Sequence, residues 1–86
     1  MQIDLSAVRE TVRELAERLE ELDGTEVDEA PTRAGARQRT EVSRNLQYLA
    51  HLGSKSSVDV MDAFYAFRQW DGDRPTGRRA SDEPRD

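Results

Sequence analysis

Cysteine is absent from the 86 residues, which removes disulfides, thiolate nucleophiles and cysteine-based metal sites together. Histidine occurs once, as His51, and no His/Asp/Glu set has ligand spacing on one helix face, so neither a metal nor a cofactor is expected. No apolar run approaches the ~18 residues of a membrane span, and no basic stretch precedes an apolar core at the start of the chain. A soluble, cytoplasmic protein is the expectation. Phosphate-cradling loops of the GxxxxGK[ST] and GxGxxG types are missing. Ser54, Ser56 and Ser57 lie near His51 but lack a nucleophile elbow, and cap and turn chemistry accounts for all three. The chain is therefore not expected to be an enzyme.

Large apolar side chains are also scarce. The hydrophobic share is 35%, the charged share 36% and the mean hydropathy −0.91, against a usual apolar share of ~45–50%. A chain this short buries only ~60% of its unfolded surface, so association is an economical way to gain core.

What apolar content there is follows a pattern. Leu5, Val8, Val12, Leu15, Leu19 and Leu22 step 3, 4, 3, 4, 3, which makes a heptad-like seam along one side of a long amphipathic N-terminal helix. Asp4 is placed to cap that helix and Gly24 to end it. Glu14 and Arg18 have the favourable i, i+4 order. Residues 25–35 show no apolar period and read as a connector.

A second helix over about 36–52 carries Val42, Leu46 and Leu49, with Thr32 or Thr40 as its cap and Gly53 as its stop. His51 would then sit in the last turn, beside the terminal carbonyls. Ser54 to Ser57 read as a turn, with Ser56 and Asp59 as a capping box. A third helix over about 57–71 gathers Val60, Met61, Phe64 and Phe67 on one face, extended by Ala63 and Trp70. Only the first helix shows a 3.5-residue period; the other two read as ordinary amphipathic segments. Residues 73–86 hold no large apolar side chain and read as a disordered tail.

The expected fold is thus an all-α, three-helix domain over residues 1–72, a small helical bundle. Helices two and three form its corner around Leu46, Leu49, Phe64 and Phe67, and helix one is its lid or half of a dimer interface. Burying each large ring would contribute ~2–3 kcal/mol.

Charge is unevenly distributed. Residues 1–30 carry ten acids against three bases, residues 31–55 five bases against one acid, and residues 56–86 seven acids against five bases. An acidic first helix against a basic second is the plain reading; Arg33, Arg37 and Arg44, which share one helix side, are the sharper one, a stripe for an anionic partner.

The expected function is a non-enzymatic protein–protein interaction module: a homo-oligomeric adaptor, regulator or accessory subunit, with a second copy or a larger protein as partner. Leu5, Val8, Val12, Leu15, Leu19, Leu22, Tyr65 and Trp70 are its candidate interface residues, the last two because a large ring with a polar handle suits a binding hot spot. Two alternatives stand beside it. Residues 42–70 have the length of a helix–turn–helix, although Asp59 and Asp62 would face the phosphates of DNA. The acidic first helix suits an inhibitor that docks on a basic protein surface. Arg78-Arg79-Ala80-Ser81 matches a basophilic-kinase pattern that chance readily produces in an Arg-rich segment.

Overall fold

The chain folds as two helices, α1 (Ser6–Leu22) and α2 (Arg33–Gly72), in a computed structural model that describes residues 1–74. The architecture is all-α, and among the described residues there is no strand. At 1.5 Å per residue, the 17 residues of α1 reach about 25 Å and the 40 of α2 about 60 Å. The short helix lies along the middle of the long one.

Contacts fix the direction. Lys55 Nζ is 3.5 Å from Thr11 Oγ1, and the Tyr48 hydroxyl donates to Glu14 Oε2 at 2.7 Å. Arg18 stacks on the Tyr48 ring at 4.7 Å, and Leu19, Leu22, Leu46 and Leu49 line one groove. Residue numbers rise along α2 as they fall along α1, so the pair is antiparallel. In this register Ser6 faces roughly residue 60, and the last three turns of α2 extend beyond α1.

The three-helix expectation fails at Gly53. Residues 53–57 stay helical, and the left-handed glycine among the described residues is Gly24, at φ 80. Two observations account for the continuity. Locally, Ser56 Oγ donates to the Leu52 carbonyl at 3.0 Å rather than capping a new helix, and Lys55 pairs with Asp59 at 3.6 Å. Over longer range, Val42, Leu46, Leu49, Gly53, Ser56, Val60, Ala63, Phe67 and Trp70 step 4, 3, 4, 3 without a slip. The heptad period expected of α1 alone therefore runs through α2 as well. An interior glycine costs about 1 kcal/mol of helix propensity, too little to break a helix whose period continues on both sides.

The consequences are large. Leu46 and Phe64, expected to meet at a corner, are 18 residues apart on one rod, about 27 Å. His51 is mid-helix and exposed, 6.1 Å from the Tyr48 ring. The aromatic core does not form within the chain: Phe64, Tyr65, Phe67 and Trp70 are all exposed. The one buried large apolar residue among those described is Leu52, 3% exposed. The molecule is a rod of 72 × 20 × 16 Å with a radius of gyration of 22.0 Å, where a compact chain of this length has about 12 Å.

The connector is shorter than expected because α2 begins at Arg33. Thr32 Oγ1 accepts from the Gly35 backbone N–H at 3.0 Å, so Thr32 is the cap. Gly35 is buried, and a β-carbon there would lie 2.5 Å from the Ala30 carbonyl oxygen. Two side chains of α2 hold the connector down. Gln38 accepts from the Asp28 N–H and donates to the Glu26 carbonyl, at 3.1 and 3.2 Å. Arg39 donates to the carbonyls of Asp28 and Ala30 at 2.5 and 3.0 Å. At the start of α1, Asp4 Oδ1 accepts from the Ser6 backbone N–H at 3.0 Å, while Leu5 holds the cap position itself. Of the tail expected over 73–86, Asp73 caps α2; residues 75–86, with the kinase-like pattern, lie outside the described residues.

Candidate interaction surface

Both helices carry apolar residues in two layers, and the hairpin buries only one of them. On α1, Val8, Leu15 and Leu22 are half-buried against α2, while Leu5, Val12 and Leu19 are exposed. On α2, Val42, Leu49, Ser56 and Ala63 are half-buried, while Leu46, Val60 and Phe67 are exposed. The exposed members recur every seven residues from Leu5 to Leu19, and on α2 at 46, 60 and 67 of the same period, with half-buried Gly53 at the position between Leu46 and Val60. They lie on one side of the hairpin, because Leu19 and Leu46 line the same groove. Ala16, Ala50, Ser57 and Phe64 flank them and are exposed too.

The result is a long apolar face with none of the described residues over it. Val12 is 46% exposed, Leu19 49%, Leu46 54% and Phe64 43%. Such a contiguous face is rare on a protein that works alone. Total exposure makes the same point: the described residues present 6642 Å², whereas a compact monomer of the whole 9.8 kDa chain would present about 5,200 Å².

The six α1 seam residues thus divide between an internal contact (Val8, Leu15, Leu22) and the open face (Leu5, Val12, Leu19). Trp70 continues the α2 period past the end of α1, with its ring 6.0 Å from Phe67 and Arg74 stacked on it at 4.7 Å. Tyr65 does not share that face: five residues on a helix turn it about 140° from Trp70. The structure therefore separates the two expected hot spots. Leu46, Val60, Phe64 and Phe67 belong to the face, but had been assigned to an internal core by the supposed turn at Gly53. Continuity of the 3, 4 step across residues 49–60 is the signal that places them on one face.

The polar side of the hairpin is modest. Among the described residues the ion pairs join neighbours on one helix: Glu14 with Arg18 at 3.2 Å, Glu41 with Arg44 at 3.5 Å, and Lys55 with Asp59. Acidic α1 does lie against α2, and charged groups meet across the helices through the Glu14–Tyr48 hydrogen bond, the stacking of Arg18 on Tyr48 and the reach of Lys55 to Thr11 and towards Glu14. That hydrogen bond holds the Glu14 carboxyl below its ordinary value, helped by Arg18, and pushes the Tyr48 hydroxyl above its own. The Ser6 backbone N–H does the same for Asp4, lowering it. Arg33, Arg37 and Arg44 are exposed on the far side of α2 from the apolar face, and Arg44 already faces Glu41.

Among the described residues no group of three or more His, Cys, Asp or Glu is arranged to hold a metal ion, and no helix is long and apolar enough to cross a membrane. Comparisons with protein-family models, with curated proteins and with solved structures find no match to this chain.

Proposed function

We propose that this chain is a non-enzymatic protein–protein interaction module of the cytoplasm, a small homo-oligomeric adaptor, regulator or accessory subunit. The observation that carries the reading is the open apolar face: two helices with sustained heptad periods, one layer of each buried in the hairpin and the other layer bare. Coiled-coil-like helices of this pattern gain their stability by covering both layers. A rod with one buried large apolar residue has little else to hold it together.

The DNA-binding alternative needs a turn between two helices at Gly53–Ser56, and α2 runs through that stretch. The acidic-inhibitor alternative rests on the outer charges of α1 and has no further support in the geometry.

Sedimentation velocity of the full chain at two concentrations tests the reading. An assembly heavier than 9.8 kDa that dissociates when Leu46→Asp places a charge in the face supports it. A single species of 9.8 kDa at both concentrations, melting cooperatively, contradicts it.

A further inference from the structure

From the geometry we infer that the open face is covered by a second copy of this chain, the two α2 helices crossing antiparallel about a two-fold axis near Val58. The inference rests on the homo-oligomer reading and specifies its geometry.

Three observations lead to it. The first is a fit between a projection and a groove. The end of α2 beyond α1 carries Phe64, Phe67 and Trp70 with no other helix of the described residues beside it. At the other end, the side chains of Leu19, Leu46 and Leu49 border an open groove of about 310 Å³, and Val42 and Leu46 border a second of about 490 Å³. Aligning the two periods antiparallel, so that Leu46 faces the partner copy's Trp70 and Leu49 its Phe67, sets the aromatic end of each chain into the groove of the other. In that alignment Gly53 faces Ala63 of the other copy and Ser56 its Val60, so the smallest seam side chains meet near the axis. A β-carbon at Gly53 would have nothing within 4 Å in the single chain, which is the clearance a close crossing uses.

The second is charge. Residues 31–55 carry five bases against one acid, and residues 56–74 four acids against two bases. Antiparallel crossing sets the basic half of one α2 against the acidic end of the other. The effect is a long-range field only, since Arg33, Arg37 and Arg44 lie away from the face and Arg39 and Lys55 are already held by the connector and by Asp59. Parallel crossing would set like against like, which association selects against.

The third is area. Covering the excess over a compact monomer on both copies would bury about 2,900 Å² in total, within the range of obligate dimers, about 2,000–5,000 Å². The product is a four-helix bundle, in which α1 of each chain runs beside the projecting end of its partner.

The absence of cysteine makes the test direct, since each introduced thiol is the only one. Ser57→Cys, Ser43→Cys and Asp71→Cys are prepared in the full chain, and circular dichroism of each reduced variant is matched to the parent. A short bismaleimide then reports proximity. Antiparallel pairing predicts that S57C links to itself and that S43C alone does not, since its two copies lie about 45 Å apart. It also predicts that S43C mixed with D71C gives a crossed dimer. An assembly in which S43C links to itself, or in which S57C does not, overturns the antiparallel crossing while leaving the chain a homo-oligomer. A monomer that yields no linked product overturns both.

Discussion

Two stretches of α2 carry the same heptad period and differ in what lies beside them. Between about residues 42 and 60 the helix has α1 along one side, a buried leucine at position 52, and the Tyr48 and Lys55 contacts to α1. From Met61 to Gly72 it has richer apolar content, with two phenylalanines, a tyrosine and a tryptophan, and no neighbouring helix among the described residues. Burial does not follow hydrophobicity along this chain; it follows the reach of α1. A 17-residue helix covers less than half of a 40-residue one, and the strongest apolar surface lies beyond its end.

Substitutions in the two stretches break the comparison in different ways. Leu52→Asp puts an unpaired charge at the one buried large apolar position among the described residues, and the whole hairpin should unfold, read as loss of helicity by circular dichroism. Phe64→Ala sharpens the contrast. On an isolated hairpin an exposed ring contributes little, but under a partner its loss should cost about 3 kcal/mol, in a melt that depends on protein concentration. Gly35→Ala comes next. Its methyl would overlap the Ala30 carbonyl, so the connector must shift and the melting temperature should fall by several degrees. Gly53→Ala should split two effects: up to about 1 kcal/mol of added helix propensity in the dissociated chain, and weaker association, because its methyl fills the clearance that the close crossing uses.

The smallest effect belongs to Tyr48 and Glu14. Because the Glu14 carboxyl is held below its ordinary 4.5, its stabilisation is present above that value and lost as pH falls through the lowered one. Because the Tyr48 hydroxyl is raised above its ordinary 10.0, its stabilisation is present below 10.0 and lost as pH rises through the raised value. The melting temperature should be level between these limits, and Tyr48→Phe should lower it slightly and flatten both shoulders.

How far the sequence revealed this molecule can be traced residue by residue. The α1 seam was legible because the apolar residues from Leu5 to Leu22 are evenly stepped, and the left-handed Gly24 was legible because it is a local chemical device. Thr32 stood as one of two caps beside Thr40, and the Gly35 that follows it pointed to a later start than Arg33. The continuity of α2 was obscured where the period passes through Gly53 and Ser56, which mark a seam position without supplying an apolar side chain. Gly-Ser-Lys-Ser-Ser carries strong turn chemistry, and only the unbroken phase from Leu49 to Val60 opposes it. Gln38 and Arg39 were not legible at all, since a polar side chain that bonds connector carbonyls has no periodic signature. The candidate surface was half legible for the same reason: its α1 half was assigned, while its α2 half was folded inward by a turn that does not exist.

Amide hydrogen exchange along α2, followed at two protein concentrations, tests the central claim most directly. If a second copy covers the open face, residues 61–72 are protected to the same degree as residues 42–60 at the higher concentration, and dilution erodes protection in both stretches together. Rapid exchange of 61–72 at both concentrations, beside a protected 42–60, would contradict it, because the aromatic end would then be as bare in solution as it is in the single chain.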